Sequence, residues 1–315
     1  MNIGTEFLNS ISQKIADKGL RYKDTVIIGD NSSGKSLLLK MILEKKGKGE
    51  DVYFVDAVNR GFDVSKVIYE MRRHDYKNTI ITARLQENIF NLTDTFSCYG
   101  TSTERIEEMY GWLEEKVQSL FEELTGERFR IIPGSILGEV EFKGEIGFLS
   151  SGYQAIVRIF MELLYYQEKC LLERHIDYGM VVIDELDEFL SPGYARKIVP
   201  FLKEHFQQME FVITTHSCDL VAGAKNANLI VLDDRDFEVL DVNDYQSVSE
   251  VQIIFDRIFG THNIQVPEIE NVLRRLLNNK INGAWTSEDQ IRLEHLQEEW
   301  LTPSQQLICR QIMEW

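Results

Sequence analysis

The segment Gly29-Asp30-Asn31-Ser32-Ser33-Gly34-Lys35-Ser36 constrains this chain more than any other feature. It joins a β-branched run, Thr25 to Ile28, to a leucine-rich helical pattern from Lys35 to Glu44. Glycines let the backbone come close to a ligand, and successive N–H groups at a helix N-terminus cradle phosphate. Lys35 can then reach the β/γ oxygens, and the Ser36 hydroxyl can ligate magnesium. Contacts to a nucleotide are expected from Gly29, Asn31, Ser32, Ser33, Gly34, Lys35, Ser36 and Leu37.

Two unbroken apolar runs, Met180 to Ile183 and Phe211 to Thr215, read as parallel strands covered on both faces, and Leu229 to Leu232 supplies another. The first ends at Asp184-Glu185. A carboxylate there can hold magnesium beside Ser36, and its neighbour can orient or deprotonate a water, which makes Asp184 a metal ligand and Glu185 a catalytic base. His216 closes the second run as Thr214-Thr215-His216-Ser217. Between these and the phosphate loop stands Leu149-Ser150-Ser151-Gly152-Tyr153-Gln154, a helix start with a serine cap.

The remaining pattern alternates strands and helices. Phe7, Ile11 and Ile15 mark an amphipathic helix before the first strand. Strands are expected at Asp51 to Ala57 and Asn78 to Thr82 with a helix from Ser65 to Arg73 between them, then a long helix from Ser102 to Leu124. A hairpin, Arg128 to Ile132 with Glu139 to Phe142, feeds the Leu149 segment. The fold class is therefore α/β with a mainly parallel sheet and helices on both faces. A domain over 1–240, with a helical lobe at about 84–175, precedes a helical extension over 241–315. That extension carries Trp285, Trp300 and Trp315, either packed inside a cap or offered to a protein partner. No heptad array follows the long helix, which excludes an extended coiled coil.

A formal charge of -17 opposes non-specific contact with nucleic acid or anionic lipid, so both are disfavoured as partners. No apolar run reaches the ~20 residues of a membrane span, and the N-terminal residues lack signal-peptide order, so a cytoplasmic location is expected. Cys98, Cys170, Cys218 and Cys309 lack metal-ligand spacing and read as free thiols.

In their order along the chain, these motifs resemble those of ABC-type P-loop ATPases, whose signature reads LSxGxQ. The resemblance covers about Thr25 to Asp234. It implies an ATP-hydrolysing, magnesium-dependent enzyme that closes head to tail as a dimer, with Ser150, Ser151 and Gly152 facing a γ-phosphate held by the other copy. It implies that His216 is the switch histidine, and that Gln86 is the glutamine that touches magnesium and water. Asn31 and the segment Asp184-Glu185-Leu186-Asp187-Glu188-Phe189-Leu190-Ser191-Pro192 are similar to the cytosolic branch of overcoming-lysogenization-defect ATPases, RecF and SMC proteins. Asp187 stands where that branch has a second glutamate, and Cys218 where it has a proline. The branch suggests a switch acting on a protein effector, with a place in bacterial antiphage defence; a RecF- or SMC-like DNA repair ATPase is the alternative. The antiparallel strands that usually precede the phosphate loop are missing, leaving Tyr22 as a candidate platform for adenine. Asp234-Arg235-Asp236 has the spacing of a nuclease metal motif but no matching upstream glutamate, so nuclease activity is not expected.

Overall fold

The computed structural model describes residues 6–46, 51–57, 60–69, 106–233, 236–258, 272–273, 276–277, 279–280, 285–297, 308–310 and 312–313. In chain order the first elements are α1 (Glu6–Ala16), β1 (Asp24–Gly29), α2 (Lys35–Lys46) and β2 (Val52–Val55). Then come α3 (Tyr110–Thr125), β3 (Phe129–Ile131), β4 (Val140–Phe142), β5 (Glu145–Gly147) and α4 (Ser151–Tyr166). The remaining elements are β6 (Gly179–Ile183), α5 (Pro192–His205), β7 (Met209–Thr214), α6 (Cys218–Gly223), β8 (Ala227–Leu232), β9 (Phe237–Asp241), α7 (Val248–Ile258) and α8 (Ser287–Gln297).

Six strands make one sheet in the order β2-β6-β7-β1-β8-β9, parallel except for β9, which runs antiparallel to β8. Every residue of β1, β6, β7 and β8 is buried, so both faces are covered, as their unbroken apolar runs require. Pairing Ile27 with Thr214 and Ile183 with Ile213 brings the carboxyl ends of β1, β6 and β7 to one edge. In open α/β sheets ligands bind in the crevice at that edge. Leu8, Ile11 and Ile15, one stripe of α1, are buried where this helix packs on α2.

Helix α4 is buried from Ala155 to Tyr166, on all sides, as expected of a helix enclosed by other elements. It contains an internal ion pair, Arg158 Nη2 to Glu162 Oε1 at 2.7 Å, and Tyr53 of β2 donates its hydroxyl to the same carboxylate. A π-helical segment, Gln167–Leu172, continues it.

The expected hairpin is present and gains a third strand, giving a small antiparallel sheet in the order β3-β4-β5. The added turn is Lys143-Gly144, with φ of 56° and 80°, the left-handed pair that favours tight hairpins. The helix expected from Ser65 is reduced to a single 3-10 turn at Val64–Lys66. Asp63 caps that turn from its side chain, and Val67 is already extended at ψ 131°, which ends it. The strand expected at Asn78 to Thr82 lies outside the described residues.

Tyr22 stands before β1, at the opposite end of the sheet from the phosphate loop, so it does not serve as an adenine platform there. Its hydroxyl donates to Asp241 Oδ2 at 2.9 Å and accepts from Asn243, tying the entry of β1 to the end of β9. The backbone N–H of Asn243, the Tyr22 hydroxyl and Arg21 together hold the Asp241 carboxyl below its ordinary range. A depressed carboxyl pKa contributes stability above the unfolded value of about 3.9, and that contribution is lost as pH falls through the folded value. Asp241→Asn is expected to lower the melting temperature at pH 7, with the difference from the parent shrinking as pH falls through the folded value, read by thermal melts across pH.

The chain divides into two compact units, 1–252 and 253–315. Within the second, Leu273, Leu276, Leu293, Leu296, Cys309 and Ile312 form a buried cluster, against which Trp285 is partly packed beneath Lys280. Trp300 and Trp315 lie outside the described residues. Among the described residues Cys170, Cys218 and Cys309 form no disulfide, and Cys98 lies outside them. Among the described residues no helix is long and apolar enough to cross a membrane.

Candidate functional site

The loop after β1 has the shape its glycines permit. A Cβ at Gly29 would run into Ser33 Oγ and Leu232, so only glycine fits there. Gly34 has φ of 98°, a left-handed value that turns the chain into α2, and Ser32 has φ of 69°. Leu8 of α1 lies against Gly34, with room for little more than hydrogen at that position. Lys35, 7% exposed, donates to the carbonyls of Gly29 at 2.9 Å and Asp30 at 3.1 Å. Burial lowers its pKa, opposed by the charges of Glu185, Asp184, Asp30 and Asp187. The Ser33 hydroxyl is buried without a hydrogen-bond partner among the described residues, an arrangement that costs energy unless a ligand supplies one. Ser36 opens α2, where the first N–H groups have no acceptor within the helix, and Leu37 is exposed beside it.

Asp184 follows β6 and is 2% exposed. Thr214, the last residue of β7, donates its hydroxyl to Asp184 Oδ1 at 2.5 Å and accepts the Glu185 N–H at 2.8 Å. One hydroxyl thus orients both acids. Glu185 itself has φ of 50°, an uncommon conformation for a residue with a long side chain. Burial raises its carboxyl pKa, with the negative charges of Asp184 and Glu188 adding to the effect. His216 Nε2 is 3.7 Å from Glu185 Oε1. Burial and then the Lys35 charge lower the pKa of His216, which favours its neutral form. Thr215 donates to Asp187 and holds the loop beyond Glu185 in register.

Lys35, Asp184, Glu185 and His216 are therefore neighbours at one edge of the sheet. The signature segment is placed differently. Ser150 caps α4 loosely, accepting from the Tyr153 N–H at 3.4 Å, and Gln154 donates to the Leu149 carbonyl at 2.9 Å. Ser150 and Ser151 are exposed, and neither Ser150 nor Gln154 hydrogen-bonds to the phosphate loop. A Cβ on Gly152 would stand 3.0 Å from the carbonyl of Phe189, in the loop beyond Glu185. Gln86 lies outside the described residues.

Sequence reasoning passed over Arg60. The strand beside β6 is β2, and the loop leaving it carries Asp56 and Arg60, 3% and 1% exposed. Arg60 Nη2 donates to the carbonyl of Asp184 and, at 3.5 Å, to that of Glu185. Only the neighbour order of the sheet reveals this, because 124 residues separate Arg60 from Asp184 in the chain. Thr214 was visible in the Thr-Thr-His run, but its bridging of two acids was not.

No protein-family model matches the chain. A Septu protein PtuA of Bacillus thuringiensis is 28% identical over 171 residues, 52% of this chain and 41% of that protein. A retron Ec83 probable ATPase of Escherichia coli is 35% identical over 54 residues, 17% of this chain and 10% of that protein. The chain thus spans less than half the length of these curated relatives. Among solved structures, an ATP-binding cassette of an ABC transporter is 18% identical, covering 75% of this chain and 89% of that one with a TM-score of 0.40. The order of its motifs resembles that of ABC-type P-loop ATPases, and one of the proteins it is similar to is itself described as a probable ATPase.

Proposed function

We propose that the protein binds and hydrolyses ATP between two of its copies and uses the cycle to control a partner protein. The observation that carries this reading is the meeting of Lys35, Asp184, Glu185 and His216 at the carboxyl ends of three adjacent strands, with Ser150 and Ser151 exposed elsewhere on the same chain. One copy has the groups for holding phosphates and activating water, and its signature helix start is free to serve a second copy.

Glu185 is the base. Its pKa, raised by burial and by the charges of Asp184 and Glu188, makes it a better proton acceptor than an ordinary surface carboxylate. His216, neutral and 3.7 Å away, positions the water and the γ-phosphate. The Ser36 hydroxyl and the Asp184 carboxylate are hard oxygen donors of the kind magnesium takes, and the crowding of Asp184, Asp187 and Glu188 around Glu185 is negative charge that a dication would offset. When bound, magnesium supplies charge neutralisation on the phosphate oxygens. Lys35, now bonded to its own loop carbonyls, exchanges those contacts for phosphate oxygens.

Closure around ATP and reopening after hydrolysis would give two states whose balance depends on the γ-phosphate, a switch with a stated physical cause. Similarity to a Septu protein and a retron ATPase supports a place in antiphage defence, and the helical extension from 241 onward is the candidate surface for the effector. The charge of -17 speaks against DNA as the object of the switch.

Equilibrium ATP binding tests the foundation. Lys35→Ala removes a charge-assisted contact and is expected to weaken binding about tenfold to a hundredfold, read by calorimetry or a fluorescent nucleotide. Unchanged affinity would remove the phosphate loop from the reading.

A further inference from the structure

Arg60 is the largest fully buried side chain among the described residues, and its position is not explained by packing. Its Nη2 donates to the carbonyls of Asp184 and Glu185, whereas Nε and Nη1 have no hydrogen-bond partner among the described residues. Burying a guanidinium with most of its donors idle is costly, and an apolar side chain of similar volume would fill the space without that cost. Asp56 is the strongest compensating charge, followed by Asp184. What the guanidinium alone can do is grip two successive carbonyls.

Those carbonyls flank Glu185, a residue with a left-handed backbone. Glu185 has φ of 50°, and a non-glycine residue keeps such a conformation only when its surroundings hold it. Thr214 holds its N–H from the β7 side. Arg60 holds its carbonyl, and the one before it, from the β2 side.

We propose that Arg60 is a positioning residue for hydrolysis: it clamps the Asp184–Glu185 peptide so that the Glu185 carboxylate stays where it can take a proton from water. This rests on the ATPase reading above for its catalytic consequence, but its conformational part stands on the geometry alone. Without the clamp, Glu185 relaxes toward a negative φ and its carboxylate swings away from His216. Nucleotide binding through Lys35 and the phosphate loop is untouched, because Arg60 contacts neither.

The test uses the full-length chain with R60M and R60K, each alone and combined with E185Q. R60M is expected to lower kcat about tenfold to a hundredfold while KM for ATP stays within about threefold, and R60K, which can still donate to both carbonyls, recovers a large part. In the E185Q background R60M adds little further loss in kcat, because the Asp184–Glu185 peptide that Arg60 holds no longer carries the proton acceptor. A multiplicative loss in the double variant, or a rise in KM with kcat unchanged, overturns the proposal. If R60M does not accumulate as folded protein, R60Q takes its place. A crystal structure of the substituted protein gives a readout independent of turnover: residue 185 is expected to leave the left-handed region, and a φ still near +50° overturns the clamp. Absence of phosphate release by the parent chain would overturn the ATPase reading instead, with the crystallographic result still deciding the role of Arg60.

Discussion

Glu185→Gln is expected to reduce phosphate release by about a hundredfold to ten-thousandfold while leaving ATP binding intact, the loss characteristic of removing a positioned base. The amide is nearly isosteric with the carboxylate, so the bonds of Thr214 and Arg60 to the backbone at this position remain. What disappears is the proton acceptor. If hydrolysis reopens the closed pair, a variant that binds but does not hydrolyse accumulates as an ATP-bound dimer, visible by light scattering coupled to size exclusion. A Glu185→Gln protein that stays monomeric with ATP bound would defeat the two-copy mechanism. The charge removed has a second effect. Glu185 has its pKa raised by burial and by neighbouring acids, so its ionised form is disfavoured in the folded chain. Neutralising it makes the folded state more stable at pH 7, the usual trade at a functional site.

Mixing two inactive variants is expected to restore turnover. Lys35→Ala disables the phosphate loop and leaves the signature intact. Ser150→Glu places a carboxylate on the exposed signature, where it repels phosphate, and leaves the loop intact. Each homodimer carries two defective sites. A mixed dimer pairs the intact loop of one copy with the intact signature of the other and so contains one complete site. With random pairing at equal concentrations, about a quarter of parental turnover is expected from a mixture of two proteins that are nearly inactive alone. Ser150 is exposed and its cap is a loose 3.4 Å contact, so the substitution has little to disturb in the fold. Absence of recovery, or full activity of Ser150→Glu by itself, would show that each copy completes its own site.

The parts of this architecture legible in the sequence are those whose physics is local. Thr25 to Ile28, Met180 to Ile183 and Phe211 to Thr215 are strands because buried parallel strands need unbroken apolar runs, and they lie side by side with their carboxyl ends together. That arrangement brings Lys35, Asp184, Glu185 and His216 to one edge, as the motif order implied. What escaped is whatever depends on partners distant in the chain. Arg60 and Thr214 act on the acids across strand neighbours, and no spacing rule links them. The third strand of the small sheet, Glu145–Gly147, has Ile146 as its one apolar residue, between a glutamate and a glycine, so no alternation marks it. Tyr22 precedes β1, one strand length from the phosphate loop that follows it. The helix expected from Ser65 stops after one turn, where Val67 becomes extended, and residues 70–73 lie outside the described residues.

The close approach of Gly152 to the Phe189 carbonyl, 3.0 Å from where a Cβ would be, ties two surfaces that belong to different reactions. Under the proposed two-copy reading, the helix start that a molecule would lend to its neighbour rests on the same loop that carries Glu185. On that reading, a shift of the loop at one nucleotide would reach the other, and a closed pair would then fire in sequence rather than independently. Timing in such an assembly would then be set by the backbone of a phenylalanine that touches neither substrate.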